Sequence, residues 1–119
     1  MATNQNEIDQ AIQNLIKMNR KNIEIKKVWT NASPTSAFAN QTLKLDLSSY
    51  DLVIILFKLD KNGRVTSPAI TPIGHPGLSA YGNNVRYFLV HTNDINFDYI
   101  YPNSLVMIPY EIYGAKGVI

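Results

Sequence analysis

Leu52-Val53-Ile54-Ile55-Leu56-Phe57 is the stretch on which the fold turns. Six apolar residues in a row are too few to cross a bilayer as a helix. They read instead as a strand that is apolar on both faces. A strand apolar on both faces is unusual in an antiparallel sheet, where one face normally meets water. It belongs at the centre of a sandwich, or another subunit covers its second face. Leu52, Ile54 and Leu56 share one face and are therefore candidate contacts between copies.

The flanks point the same way. Ser48-Ser49-Tyr50-Asp51 is a turn, and before it Leu43, Leu45 and Leu47 alternate with Lys44 and Asp46, which predicts a strand over 42–47. After the apolar run, Asp60-Lys61-Asn62-Gly63 carries an Asn-Gly hairpin signal. The returning segment, 64–73, holds Pro68 and Pro72, which confine it to an edge or to bulges. Residues 74–84 (GHPGLSAYGNN) read as one long irregular loop. Strands are predicted over 85–91, 95–101 and 105–113, with Pro102-Asn103-Ser104 turning between the last two. In the second of these, Phe97, Tyr99 and Tyr101 would share a face. Short strands at this spacing predict a mainly β chain, an antiparallel β-sandwich or jelly-roll-like domain over 23–119.

Ahead of it, residues 1–22 read as one short N-terminal α-helix for oligomerisation or attachment. Asn4 is a candidate N-cap with Glu7 three positions on. Ile8, Ile12, Leu15, Ile16 and Met18 recur at helical spacing, and Ile8, Ala11, Leu15, Met18, Asn22 and Ile25 fit heptad a and d positions. An isolated helix of this length is marginal in water, so the stripe of Ile8, Ile12, Leu15 and Met18 must be covered by its own domain or by other copies. No Pro or Gly occurs before Ser33, so the helix runs almost directly into a strand at 23–29, where Ile23 and Ile25 alternate with charge and a bulge at Lys26-Lys27 restores the pattern.

Composition narrows the function. Eleven Lys and Arg against nine Asp and Glu leave a net charge of +2, too little for a nucleic-acid footprint. The basic run Lys17, Arg20, Lys21, Lys26, Lys27 reads as a solvated helix face and helix C-terminus. No cysteine is present, which excludes thiol chemistry and disulfides. The polar start lacks the apolar core of a signal peptide, so synthesis in a host cytoplasm is expected, with no membrane insertion.

No catalytic constellation emerges, and the expectation is a protein that is not an enzyme and needs no cofactor or metal. His75 and His91 lack helical metal-ligand spacing, and His91 with Asp94 and Asp98 reads as a capped strand end rather than a metal site. Asp46 and Asp51 flank a turn, and neither a nucleophile elbow nor a phosphate loop is visible. The tyrosines suit interfaces or sugar-binding faces as well as strands. Trp29, Tyr81 and Asn83 are the candidate ligand contacts.

Two segments carry a family likeness. Val28-Trp29-Thr30-Asn31-Ala32-Ser33-Pro34-Thr35-Ser36-Ala37-Phe38-Ala39, continuing through Gln41-Thr42-Leu43 and Leu45-Asp46-Leu47-Ser48-Ser49-Tyr50-Asp51, resembles the opening of small β modules in phages and prophages of low-GC Gram-positive bacteria. Ile108-Pro109-Tyr110-Glu111-Ile112-Tyr113-Gly114 resembles their closing segment. The resemblance implies a structural protein of the tail, baseplate or head fibre. The expected protein is thus a virion component, a homotrimer or other homo-oligomer forming a head or tail fibre, spike or decoration. Its partners would be itself and other phage capsid or tail proteins, and it would contribute to host attachment. A carbohydrate-binding module for host cell-wall glycan is the alternative.

Overall fold

The computed structural model describes residues 5–59, 62–100 and 103–117, and the side chains of all of these except 15–22. Among the described residues one helix, α1 (Gln5–Asn22), precedes nine strands: β1 (Glu24–Thr30), β2 (Thr42–Lys44), β3 (Leu52–Leu59), β4 (Arg64–Val65), β5 (Ala69–Pro72), β6 (Pro76–Tyr81), β7 (Asn84–Val90), β8 (Asp94–Asn96) and β9 (Met107–Lys116). They form two antiparallel sheets packed as a sandwich. The first is ordered β1-β9-β3-β4, with β5 also paired to β3, and the second β2-β8-β7-β6.

The apolar run is β3, the central strand of the first sheet, between β9 and the broken edge of β4 and β5. Its burial alternates: Val53, Ile55, Phe57 and Leu59 enter the core, while Leu52, Ile54, Leu56 and Lys58 are half-buried on the other face. Phe88 and Val90 of β7, Ile95 of β8, and Phe97 meet them from the second sheet. Phe38 lies edge-on to Phe97 with centroids 5.3 Å apart. The proline-bearing segment forms the edge, as its missing N–H groups require.

Four expectations are corrected. The segment 74–84 is not an irregular loop: β6 occupies Pro76–Tyr81 and pairs with β7 from Pro76↔Leu89 to Tyr81↔Asn84. Gly82 and Asn83 make a two-residue hairpin turn with Gly82 at φ 61°. Gly77 is there because a Cβ would lie 2.6 Å from Phe88 Cζ. Second, β8 ends at Asn96, so Phe97 is buried whereas Tyr99 lies exposed in a bend, and the two share no strand face. Asp98 N donates to Asn96 Oδ1 (2.7 Å), turning the chain out of the sheet. Tyr101 lies outside the described residues. Third, the predicted strand 42–47 forms a ladder only over Thr42–Lys44, because Leu45 and Leu47 donate instead to the carbonyls of Asn93 and Thr92 in the adjoining loop. Fourth, the β1 bulge falls between Lys27 and Trp29, next to the position expected.

Helix α1 and β1 are separated by Ile23 alone. The side chains of residues 5–14 are all exposed. The molecule measures 67 × 28 × 24 Å, as befits an 18-residue helix, about 27 Å long, standing off the sandwich. Asn4 lies outside the described residues. Among the described residues no helix is long and apolar enough to cross a membrane.

Candidate functional site

The two sheets close on each other along one side, where the chain crosses from β5 to β6. There Gly74 N donates to Val90 O (2.9 Å) and Val90 N to His75 O (3.1 Å). The opposite side, between the edge strands β1 and β2, is bridged by residues 31–41 instead of by a ladder. Asn31 starts this loop and fastens it three ways. Its N–H donates to Tyr110 O (2.9 Å), its Nδ2 to Pro109 O (2.9 Å), and its Oδ1 accepts from Ser33 N (2.7 Å). Further on, Phe38 N donates to Leu105 O (2.9 Å) and Gln41 Nε2 to Ala39 O (3.1 Å).

Between the loop and the two strand edges lies an open groove of about 480 Å³. Trp29 and Phe38 give it an aromatic wall, with ring centroids 6.1 Å apart and planes at 73°. Thr30, Ser33, Ser36 and Gln41 supply exposed polar side chains.

Arg86 supports the groove from inside. It points inward from β7 in phase with Phe88 and Val90 and is fully buried. Its Nη1 donates to Phe38 O (2.7 Å), Ser104 O (3.2 Å) and Met107 O (3.4 Å), and its Nη2 to Ala39 O (3.3 Å) and Asn40 Oδ1 (3.2 Å). The guanidinium lies 5.1 Å from the Phe38 ring centroid and 5.5 Å from that of Phe97. Burial pushes its pKa down to about 10, so it remains charged at neutral pH. Carbonyl dipoles and ring faces therefore take the place of a carboxylate in compensating the cation. Asn103 completes the support: its Nδ2 donates to Phe97 O (2.9 Å) and its Oδ1 accepts from Tyr87 N (2.7 Å).

A second surface is the outer face of the first sheet. Leu52, Ile54 and Leu56 form its centre and are flanked by Ile70 (65% exposed) and Ile25 (60%). At one side, Lys27 Nζ meets Glu111 Oε2 at 2.8 Å. That hydrogen bond, reinforced by charge attraction, raises the Lys27 pKa and is the main cause lowering that of Glu111. On α1, Ile8 and Ile12 are 43% and 51% exposed. The side chains of Leu15 and Met18 lie outside those described. Of the residues expected to join copies, Ile8 and Ile12 are exposed on the helix, and Leu52, Ile54 and Leu56 are half-buried on the sheet's outer face.

The expected ligand contacts are not brought together. Trp29 lines the groove, whereas Tyr81 and Asn83 stand at the β6–β7 hairpin, at the far edge of the other sheet. Ser33, Ser36 and Gln41 are not among the ligand contacts expected from the sequence. Their one signal was a cluster of small polar residues directly after a tryptophan. A smaller apolar hollow of about 250 Å³ lies against Leu78, Tyr87, Tyr99 and Ile100. His91 Nδ1 is 2.6 Å from Asp94 Oδ1, and among the described residues no three His, Cys, Asp or Glu side chains gather as a metal site.

No protein-family model matches the chain, and neither a curated protein nor a solved structure shows significant similarity to it.

Proposed function

We propose that the chain is a structural component of a bacteriophage virion, a homo-oligomer, trimeric in the simplest form, that builds a head or tail fibre, spike or decoration. The observation that carries the assembly is α1, which stands off its own β domain with Ile8 and Ile12 exposed. A helix of this length gains most of its stability by burying an apolar face, and here a neighbouring copy provides the cover. The open apolar face at Leu52, Ile54 and Leu56 adds a second surface of the kind that marks protein contacts. The virion setting rests on the family likeness of the opening and closing segments. Those segments fold onto each other, through Asn31 on Pro109 and Tyr110, and through Tyr50 on Gly114. The role is architectural, with no catalytic step.

Light scattering on the purified chain tests the assembly: a species near three times 13.4 kDa is expected, and a stable monomer at micromolar concentration would sink it. Immunogold labelling of phage particles tests the setting, with label on particles as the expected result and an unlabelled particle fraction as the contrary one.

A further inference from the structure

We propose that the groove between β1 and the 31–41 loop is a binding site for a neutral saccharide. None of the residues lining it carries a charge, although Lys and Arg are common elsewhere in the chain. A site for phosphate, nucleic acid or an acidic polymer would present cations, and this one presents none. What it offers is the half-buried ring of Trp29, backed by the buried Phe38, beside the exposed side chains of Thr30, Ser33, Ser36 and Gln41. Sugars have apolar C–H faces and hydroxyl rims, and this pairing matches both.

Preorganisation strengthens the assignment. Asn31 holds the start of the loop, and Arg86 holds the carbonyls of Phe38 and Ala39 from beneath. A loop fixed before binding spares the ordering cost that weakens most shallow sites. The groove volume of about 480 Å³ suits a short saccharide. This site belongs to the single chain and stands whether or not copies assemble.

Trp29 is the sole tryptophan, so its emission reports on the groove directly. The experiment titrates N,N′-diacetylchitobiose, maltose and lactose into the protein up to tens of millimolar, with glucuronate and a tetra-alanine peptide as comparators. A saturable emission change with at least one of the three disaccharides is expected. The double variant Ser36→Ile, Gln41→Ala should weaken it at least tenfold, with folding checked by circular dichroism. Tyr81→Ala should leave it unchanged. The site is overturned by the absence of a saturable response to all three. It is equally overturned by stronger binding of glucuronate or the peptide, or by a response that survives the double variant. Scattering on the same samples separates this outcome from the fate of the oligomer.

Discussion

Arg86 shares an inward register with Phe88 and Val90, a position that strand alternation reserves for apolar side chains. Such a residue is tolerated only because carbonyls from two loops converge on it. Arg86→Met should leave those carbonyls unsatisfied and cost about 3 kcal/mol or more in chemical denaturation. Arg86→Lys keeps the charge but loses the planar fork, and an intermediate loss is expected. A second close fit occurs at Gly114, where an added Cβ would lie 2.6 Å from the Tyr50 ring. Gly114→Ala should therefore destabilise by about 1–3 kcal/mol, seen as a lower midpoint of thermal unfolding. The alternation around Arg86 was visible in the sequence. Its partners were not, because all but Asn40 Oδ1 are backbone carbonyls, which carry no mark of residue type.

Among the elements, those with strong periodicity were legible: α1, β1, β3, β7 and the proline-marked edge. The strand β6 was missed because Gly77, Gly82 and Pro76 read as breakers, when Gly77 makes room for Phe88 and Gly82 turns the hairpin. For α1, the pair Ile8→Asp and Leu15→Asp should reduce the scattering mass to one chain while leaving the β signal in circular dichroism intact. Between β1 and β9, the Lys27–Glu111 contact makes a pH prediction. Glu111 has a lowered pKa when folded, so its contribution is present above the ordinary carboxylate range and is lost as pH falls through the lowered value. Lys27 has a raised pKa, and its contribution persists until pH climbs past the ordinary lysine range. Glu111→Gln should lower the unfolding temperature slightly at pH 7, and that difference should vanish in acid.

For the molecule as a whole, the sandwich followed from alternation and turn spacing. The groove did not, since it depends on how residues 31–41 cross from one sheet's edge to the other's. Tertiary closure of that kind pairs positions far apart in the chain, as Asn31 with Pro109 and Phe38 with Leu105 show. The same long-range closure ties the turn before β3 to the end of the chain: Asp51 N donates to Ala115 O (2.8 Å), and Asp51 Oδ2 accepts from Gly117 N (2.8 Å).

A single residue, Ile23, joins α1 to β1, so the register of the helix stripe against the sheet is set by a one-residue link. Each residue of helix advances the azimuth of its stripe by about 100°. One alanine inserted after Asn22 would thus swing Ile8 and Ile12 a quarter-turn or more around the axis without altering either part. Seven inserted residues would return the stripe to within about 20° of its starting direction. Where neighbouring copies grip helix and sheet together, the first insertion should lower the scattering mass to one chain and the second restore the oligomer, as a key cut at the wrong angle fails until it is turned.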